Sequence, residues 1–108
     1  MKFPPINLLN RPKQKKDFML ICLDFDETYT VDPVFWDKFI LLAQSAGHKV
    51  ICCTSRYPGH SAEVLDFLGD RIEIYFSAHK AKKDVLHACG IYPDIWIDDK
   101  PKHIYKDR

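Results

Sequence analysis

Apolar residues along this chain gather into four short runs, and the stretches between them carry helical spacing. The first run, 18–23, reads Phe-Met-Leu-Ile-Cys-Leu without a polar break. That length suits a strand buried on both faces, as in a parallel sheet. Asp32-Pro33 then opens a helix, with Asp as N-cap and Pro in the first helical position. Phe35, Phe39, Leu42 and Ala46 recur at helical spacing and predict its apolar face, and Gly47 closes it. The run 50–53 is a second buried strand, followed by a turn at Tyr57-Pro58-Gly59. A short helix over 61–68 ends at Gly69. A third strand covers 72–76, a helix over 80–89 ends at Gly90, and a fourth strand covers 94–97. Strands alternating with helices imply right-handed crossovers and a mostly parallel sheet covered on both faces. The expected fold is a small doubly wound, Rossmann-like α/β domain.

With 108 residues the chain has room for one domain. Its first 17 residues differ from the rest. They hold five basic residues against one acidic, a balance of +4, whereas the remainder holds eleven against fourteen, −3. Pro4, Pro5 and Pro12 mark this part as an extended basic arm (1–17) ahead of the α/β domain (18–108). Phe3, Ile6, Leu8 and Leu9 favour a strap on the domain surface. The charge offers a second reading, contact with an anionic partner such as nucleic acid. The overall charge of +1 gives no case for bulk attraction to nucleic acid or membrane. No apolar run approaches the roughly 20 residues of a membrane span. The four cysteines, Cys22, Cys52, Cys53 and Cys89, show no CxxC spacing, and three sit inside apolar runs. A reduced, cytoplasmic setting without a zinc site is the simplest expectation.

In doubly wound sheets, ligands bind beyond the carboxyl ends of the strands. After strand one comes Asp24-Phe25-Asp26-Glu27-Thr28, and after strand two Thr54-Ser55-Arg56. Strand three is followed by Ser77-Ala78-His79-Lys80-Ala81-Lys82-Lys83, and strand four by Asp98-Asp99. These ends converge on one edge of the sheet. Carboxylates gathered there repel one another unless a cation sits among them, and Mg²⁺ prefers one or two carboxylates with substrate phosphate. Hydroxyls and a lysine suit phosphoryl oxygens. Asp24 and Asp26 share a face of a straight strand, but a turn at the strand end would separate them into nucleophile and acid/base. Each piece alone is a weak signal. Their order, each after a predicted strand, is the specific one. Trp36 and Trp96 lie in apolar-periodic segments and read as core. None of the five histidines shows ligand spacing, and His79 is the one expected near the site. Arg56 reads equally as a substrate contact and as a surface ion pair.

Over residues 18–101 the chain resembles the haloacid dehalogenase (HAD) superfamily, in the short form found in bacteria and their phages. Asp24-Phe25-Asp26-Glu27-Thr28 matches the family's first motif, DxDx[TV], with Glu27 where glycine is commoner. Thr54 matches the second motif, Lys82 the third (with Lys80 or Lys83 as alternatives), and Asp98-Asp99 the fourth. The resemblance implies a Mg²⁺-dependent phosphohydrolase in which Asp24 attacks phosphorus and Asp26 serves as acid and then base. It places Thr54 and Lys82 on the phosphoryl oxygens, and gives Thr28 a role in orienting the loop. Mg²⁺ would be held by Asp24, by the main-chain carbonyl of Asp26, and by Asp98 or Asp99, with Asp99 preferred as the direct ligand.

Two other doubly wound families fit less well. Receiver domains need an adjacent acidic pair after strand one and an aspartate after strand three. Toprim-like enzymes reverse the order of the acids. A catalytically silent binding or assembly module is the alternative from a different class, although it would not need Asp26. About three residues separate Thr28 from Asp32, and about three separate Phe76 from Lys80. Neither gap holds a cap domain. A capless site is expected to take a large phosphorylated substrate, a nucleic-acid end or a phosphoprotein, that itself excludes water. Oligomeric state is open, and a short sheet leaves an edge that could pair.

Overall fold

The computed structural model describes residues 17–108. The basic arm, apart from Asp17, lies outside the described residues, and so do both readings of it. Four parallel strands form one sheet in the order β3-β2-β1-β4. They are β1 (Leu20–Leu23), β2 (Lys49–Thr54), β3 (Glu73–Phe76) and β4 (Ile95–Ile97). Helices α1 (Pro33–Ser45), α2 (Ala62–Leu68), α3 (Lys82–Ala88) and α4 (Lys102–Tyr105) alternate with the strands or follow them. Short 3₁₀ turns at Tyr29–Val31 and Pro58–His60 precede α1 and α2. The expected small doubly wound α/β fold is what the chain adopts.

The strands read as apolar runs because both faces are covered, and successive side chains point to opposite faces. Ile21, Leu23, Val50 and Cys52 pack with Ile40, Ala43, Val64 and Leu68 of α1 and α2. Cys22, Ile51 and Cys53 face Leu86 of α3 on the other side. Register places Leu23 beside Cys52 and beside Ile97. Cys22 and Cys52 act as small hydrophobes there; a hydrogen bond to Cys53, then burial, pushes the Cys22 thiol up, and burial does the same to Cys52.

Two local readings need correction. The first strand starts at Leu20, not Phe18, because Leu20 is the first β1 residue with a β2 partner. Phe18 and Met19 are exposed. The apolar face of α1 is turned from the expected one. Phe35 and Leu42 are 54% and 71% exposed, whereas Ile40 and Ala43 are buried with Trp36 and Phe39 partly so. Residues 34–43 carry apolar side chains nearly all round, so spacing could not choose the face. Docking on the sheet chose it; the helix start is fixed separately, where the Asp32 carboxylate accepts from Phe35 N at 3.1 Å and Pro33 sets the first turn. A short helix, α4, follows strand four; its only sequence signal was Pro101.

The strand order puts the chain reversal at β1. From β1 it runs outward through β2 to β3, then returns to add β4 on the opposite side of β1. The crevice between the carboxyl ends of β1 and β4 is therefore the topological switch point. Asp24 follows β1 there, and Asp98 and Asp99 follow β4.

Candidate active site

Asp24 N donates to the Ile97 carbonyl at 2.9 Å, which carries the β1–β4 pairing one residue beyond β1. Phe25 then turns into the core, fully buried and stacked on Tyr29 with ring centroids 5.6 Å apart. The Tyr29 hydroxyl donates to Asp37 at 2.7 Å and accepts from Arg71 at 3.2 Å. The Phe25 carbonyl accepts from Thr28 N at 3.3 Å and Thr30 N at 3.1 Å, which closes the turn. With both rings anchored inward, the aspartates on either side of Phe25 part company. Asp24 points down into the switch-point crevice, and Asp26 sits at its rim.

Glu27 takes φ 60°, the left-handed region that glycine enters without penalty. Its carboxylate lies 3.3 Å from Lys100 Nζ, an exposed pair of little energetic weight. Glu27→Gly should therefore stabilise the fold by roughly 1 kcal/mol, or about 4 °C in Tm, since strain relief exceeds the lost pair. A melting curve that moves down on this substitution would show that the turn is unstrained.

Asp24 is buried. Its Oδ1 accepts from Lys82 Nζ at 2.8 Å. The same ammonium donates to Asp98 Oδ2 at 2.6 Å, and Asp98 Oδ1 accepts from Lys100 N at 2.9 Å. Thr28 Oγ1 lies 3.1 Å from Asp24 Oδ2 and 3.2 Å from Asp99 Oδ1, one hydroxyl proton between two carboxylates. It also accepts from Asp99 N at 3.3 Å. Thr28 thus ties the loop after β1 to the end of β4. Of the three candidate lysines, Lys82 is the buried one that reaches the carboxylates. Lys80 is exposed, and Lys83 lies over the Tyr105 ring.

Burial pushes the Asp24 carboxyl up to about 6, against the pull of Lys82, so it is ionised at neutral pH. Burial alone would lower the Lys82 ammonium, but the charges and hydrogen bonds of Asp24 and Asp98 raise it overall. Burial opposes ionisation of Asp99 as well, and its neighbours, the Thr28 hydroxyl among them, outweigh that and lower it.

One carboxylate oxygen from each of Asp24, Asp98 and Asp99 lies within 4.8 Å of the other two. Hard oxygen donors at this spacing could hold a divalent cation such as Mg²⁺. Charge accounting points the same way. Lys82 offsets one of these three carboxylates, while Glu27 pairs with Lys100 and Asp26 with Arg56. A residual charge of −2 remains at the centre of the crevice.

Thr54 stands behind this cluster rather than in it. It is fully buried, and its Oγ1 accepts from Arg56 N at 3.3 Å. Its neighbour Ser55 lines the cavity, a cleft of about 300 Å³ that Asp24, Asp26, Lys82, Asp98 and Asp99 also line. Three further lining residues, Lys100, His103 and Arg108, were missed in sequence. Lys100 sits in the turn between β4 and α4, His103 on α4 and Arg108 in the segment after it, which is tied back by Arg108 N on the His79 carbonyl and by Ala81 N on the Asp107 carboxylate, each at 2.7 Å. Pro101, two residues past the acidic pair, was the available signal of a helix start. His79, the histidine expected near the site, donates its main-chain N–H to the Ser55 carbonyl at 3.0 Å, while its ring packs edge-on against Tyr57 and does not line the cleft.

No helix among the described residues is long and apolar enough to cross a membrane. Neither connection that could carry a cap does so, since 3₁₀ and turn residues fill both. No family model matches this chain, and neither a curated protein nor a solved structure matches it.

Proposed function

We propose that this chain is a Mg²⁺-dependent phosphohydrolase that works through an aspartyl-phosphate on Asp24, in the manner of the HAD proteins its motifs resemble. The observation that carries the reading is Asp24 itself. It is a buried carboxylate held by Lys82 at 2.8 Å, beside Asp98 and Asp99 at the switch point.

Asp24, the main-chain carbonyl of Asp26, and Asp98 or Asp99 would hold Mg²⁺. When bound, the ion supplies positive charge that lets an anionic phosphoryl group approach a carboxylate. One Asp24 oxygen attacks phosphorus in line as the bond to the leaving oxygen breaks. Asp26 gives that oxygen a proton, then takes one from the water that hydrolyses the acyl phosphate. Lys82 and Ser55, which line the cleft, would bind the phosphoryl oxygens, with Thr54 bracing the end of β2.

The test is hydrolysis of p-nitrophenyl phosphate with millimolar Mg²⁺. Turnover that disappears with EDTA and returns with Mg²⁺ is expected. A folded protein that shows none would favour the alternative, a silent phosphate- or metal-binding module. The open cleft leads to a second expectation. Catalytic efficiency at fixed salt should be higher on a 3′- or 5′-phosphorylated oligonucleotide or a phosphopeptide than on sugar phosphates. A preference for a small metabolite by the monomer would refute the large-substrate reading.

A further inference from the structure

Asp26 is not free at the rim of the cleft. Arg56 Nη2 donates to its Oδ1 at 2.7 Å and Arg56 Nε to its Oδ2 at 2.9 Å, a two-pronged pair that occupies both carboxylate oxygens. A carboxyl group that passes a proton to a leaving oxygen must turn one of its own oxygens toward it. The arrangement therefore has to open during the reaction proposed above, and the fork must go to another acceptor.

The surroundings of Arg56 favour such an exchange. Its main chain is fixed at the end of β2, with N on Thr54 Oγ1 at 3.3 Å and its carbonyl accepting from Ala78 N at 3.2 Å. It directly follows Ser55, which lines the cleft. The guanidinium rests on the Phe25 ring, 5.2 Å from its centroid, and that ring is buried. The root and the support of the side chain are therefore rigid, while its head lies among several acceptors. Besides Asp26, it has Glu63 at 3.6 Å and the His60 carbonyl at 3.4 Å. Asp26 is about half exposed, so water can take over its carboxylate oxygens when the fork leaves. A phosphoryl group offers the same fork geometry as a carboxylate.

We propose that Arg56 is an exchangeable clamp, which holds the Asp26 carboxylate and passes its fork to an anionic phosphoryl oxygen when a substrate binds. Substrate binding then both anchors the phosphoryl group and frees the Asp26 carboxylate to take up a proton from water, which it passes to the leaving oxygen as the phosphorus–oxygen bond breaks. This rests on the phosphohydrolase reading, which it extends by naming how the site senses its substrate.

Binding of inorganic phosphate in the presence of Mg²⁺, measured by calorimetry, tests the clamp without requiring turnover. Arg56→Ala should weaken phosphate about tenfold or more. Arg56→Lys should recover only part of that, because an ammonium cannot supply two parallel donors. Asp26→Asn should tighten phosphate severalfold by removing the competing acceptor. Relief of charge repulsion would have the same sign, so the double variant decides. If the gain passes through Arg56, Asp26→Asn in the Arg56→Ala background brings none. Unchanged affinity in Arg56→Ala, or a gain that persists in that background, overturns the clamp. A parent that binds no phosphate overturns the clamp together with the phosphohydrolase reading. Phosphate bound through Arg56 by a protein without turnover supports the clamp and overturns only the hydrolase.

Discussion

Asp24→Asn should cut phosphatase turnover on the order of 10⁴-fold or more while making the fold more stable at neutral pH. The activity loss follows from chemistry, since an amide of the same shape does not attack phosphorus. The stability gain follows from burial. Asp24 titrates at about 6 in the folded protein instead of 3.8, and desolvation is the main cause. A folded-state value above the ordinary one means that the folded protein binds the extra proton between those two pH values. Stability contributed by the protonated form is therefore complete below pH 4 and lost as pH rises through 6. The two-unit shift corresponds to about 3 kcal/mol, and the side chain is too buried for solvent to screen much of it. Denaturant unfolding of parent and variant from pH 4 to 7, without added metal, should show curves that diverge as pH rises, the asparagine variant ahead. Parallel curves would mean that Lys82 fully compensates the buried charge. Loss of activity together with gain of stability is the signature of a residue kept for chemistry rather than for folding.

Lys82→Met should have the opposite effect on stability. The Lys82 side chain is 3% exposed and touches two carboxylates that are themselves buried, at 9% and 4%. Removing the ammonium leaves Asp24 and Asp98 facing each other without a cation between them. Breaking a buried pair from one side costs about 3–5 kcal/mol, enough to unfold a domain of this size at modest temperature. The crevice charge falls from −2 to −3, so Mg²⁺ should stabilise the variant more than the parent. Thermal melts with and without 10 mM Mg²⁺, a concentration on the order of those at which weak divalent sites fill, separate the cases. A variant as stable as the parent, or indifferent to Mg²⁺, would show that the three carboxylates do not act as one charged cluster.

Most of the candidate site was legible because strand ends are legible. An apolar run that stops at Asp24 marks the carboxyl end of a buried strand, and the same holds at Thr54 and at Asp98. Once parallel pairing is inferred, those ends must meet at one edge. Lys82 was separable from Lys80 and Lys83 only by resemblance. In the fold, position 82 turns inward on the first turn of α3, while its neighbours do not. His103 and Arg108 were not legible, because their approach depends on two tail contacts, Arg108 with His79 and Asp107 with Ala81, that lie 29 and 26 positions apart in the chain.

The sequence by itself determined the alternation of strands and helices, the buried strands, the acidic strand ends and the Asp32-Pro33 helix start. Each is set by local spacing, capping or the unbroken apolar runs of a two-faced sheet. Tertiary structure alone decided which face of α1 is buried, because that helix is apolar nearly all round and only its docking selects Ile40 over Leu42. It also decided the roles of the two aspartates beside Phe25. They are two positions apart, a spacing that puts both on one face of a straight strand. Burial of Phe25 against Tyr29 bends the chain between them, and this sends Asp24 to Lys82 and Asp26 to Arg56.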